Sequence, residues 1–215
     1  MANLFPALGT APQKEQRMPR QLRMVRPSLG NLPKLELPAG YGMRTYIEGD
    51  EVHWARIISD SFGGRERTAQ DTRDQITDRD VFLPDGFYFA TYRDIPVGTA
   101  CAWRQSVDEK EVGYVHMVGV VAEHTGHKLG KWVSLAVLHY FRDNGFISAM
   151  LDTDDFRIPA VKTYLNLGFI PVYVEEGQSE RWQDLFEKLE IPSMSAQIEN
   201  VRKMLPDELW AKVSA

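Results

Sequence analysis

The chain has 215 residues, 43% hydrophobic and 11% aromatic, which suits one substantial core and a globular rather than a disordered protein. A formal net charge of -5 argues against nucleic acid as the main partner, and the single cysteine, Cys101, excludes an intramolecular disulfide. No apolar run is long enough to cross a bilayer and the amino terminus lacks a secretory leader pattern, so a cytoplasmic chain without a membrane partner is expected.

Residues 1–38 read as a Pro-punctuated amino-terminal extension, with Met24-Val25-Arg26 as a short strand. Its Lys14, Arg17, Arg20, Arg23 and Arg26 form a basic stretch with few interleaved aromatics to stack bases, which favours an arm packed partly across the domain over an RNA or lipid contact. The main domain, 39–191, opens with alternation over residues 43–47. Asp50 is placed to cap a helix whose Trp54, Ile57, Ile58 and Phe62 follow helical spacing until Gly63-Gly64 stops it. Residues 65–80 are strongly charged and read equally as a second helix or a mobile loop.

Residues 86–92 and 97–104 form a predicted hairpin around Arg93-Asp94-Ile95-Pro96, and 112–121 is the next strand. Cys101, inside the second hairpin strand, reads as a small core residue. A long helix follows, with Leu129, Trp132, Val133, Ala136, Val137 and Tyr140 on one face and Gly145 closing it. A strand at 147–151, a short helix containing Tyr164 and a strand at 169–174 come next. Residues 181–189, and 195–205 in a tail spanning 192–215, read as helices for packing or homodimer contact; they carry no visible chemistry.

The informative segment runs from Tyr114 to Phe169, where a strand enters Thr125-Gly126-His127-Lys128-Leu129-Gly130-Lys131 and that loop opens into the long helix. A helix start offers unpaired N–H groups and the positive end of the dipole, so a glycine-containing loop there can cradle a pyrophosphate. A mononucleotide P-loop fails on spacing, because three residues separate Gly126 from Gly130 and Trp132 stands where Ser or Thr would hold magnesium. No G-x-G-x-x-G triplet exists for a dinucleotide, no G-x-S-x-G elbow for a serine hydrolase, and His124 and His127 lack a third ligand at zinc spacing.

The segment resembles the GNAT superfamily of acyl-CoA-dependent N-acyltransferases, whose loop reads Q/R-x-x-G-x-G/A after an alternating apolar strand. Val118 and Val120 take the alternating positions, and Gly126 and Gly130 fall where backbone approaches the CoA pyrophosphate. Thr125 replaces the usual Gln or Arg. Lys128 replaces a usual Gly, which requires that its backbone have no positive φ. The run from Leu151 to Phe169, with Pro159, Tyr164 and Gly168-Phe169, is similar to the family's next strand and helix. The resemblance implies a single α+β, three-layer domain: a mixed, mostly antiparallel sheet flanked by helices, splayed at the strand pair that admits acetyl-CoA. It further implies acetyl transfer from acetyl-CoA to a primary amine of a small molecule by direct attack in a ternary complex, with no metal. A non-catalytic acyl-CoA-binding module and a protein or peptide N-acetyltransferase remain the alternatives.

Residues implied for the donor are Val118, Gly119, Val120, Thr125, Gly126, His127, Lys128, Leu129, Gly130 and Lys131. Gly119 is expected to mark a bulge that splays the strand, with a backbone N–H near Val118 facing the carbonyl oxygen. Period-two alternation places Tyr114, His116, Val118 and Val120 on one face, making His116 the leading base, with Tyr114, Asp85 and Glu123 in reserve. Tyr164 matches the family tyrosine beside the CoA sulfur and is the expected proton donor to the leaving thiolate.

Overall fold

A computed structural model of the protein describes residues 20–215. Seven strands make one sheet in the order β2-β3-β4-β5-β6-β1-β7. They are β1 (Leu22–Arg26), β2 (Tyr41–Thr45), β3 (Phe87–Tyr92), β4 (Ile95–Trp103), β5 (Val112–Val120), β6 (Ser148–Thr153) and β7 (Ile170–Val172). All pairings are antiparallel except β5 with β6. That parallel pair needs a long crossover, which α3 (Leu129–Asp143) supplies.

Local chemistry sets the elements. Arg93 and Asp94 both take positive φ, 50° and 64°, so β3 and β4 close in a two-residue turn whose twist matches the strands, and β4 starts at Ile95, two residues earlier than expected. Helix α1 (Glu51–Phe62) buries Trp54, Ile57 and Ile58. Asp50 precedes it without capping it. Its carboxylate instead accepts from Arg44 at 2.5 and 2.8 Å and from the Ile47 N–H at 2.8 Å, tying β2 to the helix start. The charged stretch after Gly63-Gly64 is helical: α2 (Ala69–Thr72), opened by a Thr68–Asp71 capping box, runs into a π-turn at Arg73–Thr77.

The strand expected in the amino-terminal extension is real and longer, and it lies inside the sheet, between β6 and β7. Arg23 holds Asp152 of β6 through two bonds of 2.8 and 3.0 Å with its side chain 7% exposed, and Arg26 donates to the Leu167 carbonyl. Lys14 and Arg17 of the basic stretch lie outside the described residues.

Helices cover both faces. A Cβ on Gly113 would strike Phe141 of α3, whereas one on Gly119 would strike Ile58 of α1, so these two helices sit on opposite sides of β5. Helix α4 (Ile158–Asn166) follows β6, and α5 (Gln178–Lys188) starts three residues before the expected helix and buries Trp182. Helices α6 (Ser195–Met204) and α7 (Asp207–Ser214) close a second apolar cluster with Val25, Val112, Met150 and Val172, against which Tyr114 packs. Among the described residues no helix is long and apolar enough to cross a membrane.

Candidate active site

The parallel pairing of β5 and β6 lasts for three residues, Val112↔Ser148 to Tyr114↔Met150, and then the strands part. β6 keeps its other neighbour to the end, Leu22 pairing with Thr153, while β5 keeps β4. A gap therefore opens in the middle of the sheet. On β5 the cause is a bulge at Met117, φ 50°: Thr99 pairs with Gly119 and Cys101 with His116, so two residues of β5 oppose Ala100. The bulge is thus two residues before Gly119, where the sequence suggested it. Gly119 answers a different need, the close approach of Ile58, 2.9 Å from its would-be Cβ.

The bulge also corrects the predicted faces. Tyr114 and His116 share a face with Trp103, to which the His116 ring lies 5.2 Å centroid to centroid. Val118 lies on the other face, toward Gly130 of α3. His116 makes no hydrogen bond to the described protein, and burial pushes its pKa from 6.5 down to about 4, so the ring is neutral at physiological pH. Cys101 opposite it is fully buried and its thiol is pushed up by burial, consistent with a core role.

After β5 a 3₁₀ turn at Ala122–His124 leads into the loop. Thr125 Oγ1 donates to the Ala122 carbonyl at 2.8 Å, and His124 Nδ1 shares a 2.8 Å hydrogen bond with the Tyr41 hydroxyl, which anchors the loop on β2. Gly126 has φ 84°. Lys128 has φ 58°, so the condition set on it by the sequence fails: a lysine occupies the left-handed conformation that a glycine adopts without strain. The first bond of α3 runs from the Trp132 N–H to the Lys128 carbonyl, 3.2 Å, which leaves the N–H groups of Leu129, Gly130 and Lys131 ahead of it.

A cleft of about 340 Å³ lies over this helix start. Val118, Gly119, Val120, Thr125, Gly126, Lys128, Leu129, Gly130 and Lys131 line it from one side; Arg157, just before α4, and Pro159, Ala160, Thr163 and Tyr164 of α4 line it from the other, with Ser61 from α1. His127 is outside it, its ring 5.2 Å from Tyr41. A smaller pocket of about 130 Å³ sits in the gap between β5 and β6, with Tyr114, His116, Asp152, Asp154 and Gln21 on its wall. The two share Val118, Arg157, Ala160 and Tyr164. Asp85 and Glu123, the reserve bases, line neither. Tyr164 is 7% exposed, and burial holds its phenol above the usual tyrosine range despite the nearby Arg157. Among the described residues no three His, Cys, Asp or Glu side chains gather as metal ligands.

The Acetyltransferase (GNAT) family matches residues 52–169, more than half of the chain. The chain belongs to this family. A mycothiol acetyltransferase of Kytococcus sedentarius is 35% identical over 156 residues, 68% of this chain and 52% of the relative. One from Pseudarthrobacter chlorophenolicus is 32% identical over 175 residues, 78% of this chain and 53% of the relative. The chain thus spans about half the length of the curated relatives it matches. The GNAT fold is seen again in the crystal structure of a GCN5-related N-acetyltransferase from Sphaerobacter thermophilus, at TM-score 0.58 and 21% identity over 71% of this chain and 49% of that one. One from Kribbella flavida gives TM-score 0.51 at 22% identity, over 71% of this chain and 55% of that one.

Several GNAT cleft residues escaped the sequence reading. Arg157 reads as the residue before a helix, and nothing in the local pattern says that its guanidinium packs 4.1 Å from the Phe62 ring of α1. Gln21 and Asp154 meet across 133 residues of sequence, 2.9 Å apart. Ser61 would be found only by knowing that α1 crosses β5, where its hydroxyl accepts from the Val120 N–H at 3.3 Å.

Proposed function

We propose that the protein transfers an acetyl group from acetyl-CoA to a primary amine of a small molecule, by direct attack within a ternary complex. The observation that carries this reading is the shared wall: Tyr164 borders both the large cleft over the α3 start and the pocket in the strand gap, where a thioester and an amine would meet. The family match and the acceptor class in the relatives' names support it.

The pyrophosphate of the donor lies against the N–H groups of Leu129, Gly130 and Lys131, where the helix dipole is also favourable, and Lys128 and Lys131 add charge. The pantetheine arm runs along Val118–Val120 in the gap that β6 has vacated. A backbone N–H near Val118 faces the thioester oxygen and stabilises it as negative charge develops.

An alkylamine with a pKa of about 10 is mostly protonated at neutral pH, and an imidazole at about 4 is too weak a base to strip that ammonium. The free-amine fraction therefore attacks. Its nitrogen bonds to the carbonyl carbon, the tetrahedral adduct carries a far more acidic N–H⁺, and neutral His116 accepts that proton directly or through water. The C–S bond then breaks, and Tyr164 gives its proton to the departing thiolate. A phenol held neutral by burial is a donor over the whole physiological range.

The test is an amine panel with acetyl-CoA, following free thiol. Acetyl-CoA-dependent thiol release with one or more small amines is expected. Acetyl-CoA binding without release for any amine or peptide would make this a non-catalytic acyl-CoA-binding module.

A further inference from the structure

We propose that Arg157 is a carboxylate-binding residue at the junction of the two cavities, so that the acceptor is an amino carboxylate. Its amine reaches the His116 side while its carboxylate docks on the guanidinium fork. The inference rests on the proposed acetyl transfer and deepens it.

The guanidinium is held on three sides. Its Nε donates to Asp154 Oδ2 at 2.9 Å, its carbon lies 4.1 Å from the Phe62 ring centroid, and Phe156 flanks it at 5.2 Å. Asp154 is itself fixed, its Oδ1 accepting from Gln21 Nε2 at 2.9 Å. Of the neighbouring pairs, Asp152 takes both an Nε and an Nη bond from Arg23, and Asp155 likewise from Arg181. Arg157 spends only Nε on Asp154. Arg157, its side chain 24% exposed, borders both cavities, and its Nη1 and Nη2 have no protein acceptor among the described residues.

A rigid, planar, two-pronged donor fits a carboxylate. Acetyl-CoA does not supply one here. The proposed function assigns its pyrophosphate to the α3 start, and its thioester end is uncharged, so a carboxylate at this junction comes from the acceptor or from an acyl group longer than acetyl. The pocket in the gap continues from Arg157 to His116, which favours the acceptor. Gln21 and Asp154 then act as positioning residues that aim the fork.

The experiment titrates L-alanine, L-phenylalanine and 4-aminobutyrate, each against its own carboxamide, into the full chain saturated with CoA, by calorimetry. Acetyl transfer to the same six amines and succinyl transfer from succinyl-CoA to their carboxamides are measured alongside. At least one carboxylate should bind tighter than its carboxamide by about 10- to 100-fold, the range for a charge-assisted bidentate contact. Arg157→Gln should erase that preference while the acetyl-CoA-induced rise in melting temperature persists. Arg157→Lys, which keeps the charge and a partner for Asp154, should retain part of it. Gln21→Ala, which frees Asp154 and with it the fork, should raise KM for each carboxylate by more than for its carboxamide, narrowing the preference without erasing it. A preference for succinyl-CoA over acetyl-CoA that Arg157→Gln abolishes would place the carboxylate on the acyl group. No carboxylate preference in any arm, or loss of acetyl-CoA binding in both Arg157 variants, would overturn the proposal. Binding is read in calorimetry whether or not any amine is acetylated, so failure of the transfer reaction is seen separately.

Discussion

His116 and Val118 point to opposite faces of β5, although two residues apart, because Met117 adds an extra residue to the strand opposite Ala100. The bulge separates the roles that an unbroken strand would have stacked on one face. His116 is left on the side of Trp103 and Tyr114, in the pocket, while Val118 faces the start of α3.

The imidazole should show itself in two pH profiles. His116→Ala should lower turnover and remove an acid limb near pH 4, leaving the rise with pH set by the acceptor amine. It should also change acid stability. The folded pKa is below the unfolded one, so the unfolded chain binds the extra proton between about 6.5 and 4, and the stabilisation is complete above 6.5 and lost as pH falls toward 4. The loss should amount to about 3 kcal/mol at most. Melting temperatures of parent and variant at pH 7 and pH 4.5 test this; an identical acid-induced drop in both removes His116 from the account.

Tyr164→Phe keeps the ring that packs 6.0 Å from Phe169 and removes only the hydroxyl. Turnover should fall by about 10² to 10⁴, with acetyl-CoA affinity and fold retained. Normal turnover with a lowered melting temperature would make Tyr164 a core residue and assign thiolate protonation to solvent.

Gly126 has φ 84° with no atom within 4 Å of a would-be Cβ. Gly126→Val should therefore fold, with some strain, while its side chain occupies the approach to the α3 N–H groups. The melting-temperature rise given by acetyl-CoA should disappear. An unchanged rise in the folded variant would remove the loop as the phosphate site.

Lys128 carries the opposite compromise, a charged side chain on a strained backbone. Lys128→Gly should raise stability by about 1 kcal/mol by relieving the left-handed conformation. Acetyl-CoA affinity should weaken several-fold at low salt and by less at high salt, because the lost contact is between exposed charges. Equal affinity at all salt concentrations would leave the lysine without a phosphate contact.

Asp152→Ala strands Arg23, whose side chain is 7% exposed, and should cost about 3–5 kcal/mol in denaturant unfolding. Pairing it with Arg23→Met should recover most of the loss, since the apolar pair leaves no uncompensated charge. A double variant as unstable as the single one would show that β1 depends on the ion pair itself.

What the sequence determined by itself was local in origin. Helical spacing gave α1 and α3, the glycine-containing run before α3 gave the anion cradle, and Tyr164 followed by Gly168-Phe169 gave the family and with it the splayed sheet. Other features depend on partners far apart in the chain. Lys128 takes a left-handed φ where the loop turns into α3, and residue type alone does not report that. The position of the bulge is a relation between β4 and β5, legible only once Cys101 faces His116. Arg23 and Gln21 reach Asp152 of β6 and Asp154 just beyond it from well over a hundred residues earlier in the chain, because β1 pairs with the edge of β6 that faces away from β5. Pattern fixes which face of an element is apolar. Which charges end beside a cleft is set by how those elements pack, and a single sequence holds no periodicity that records it.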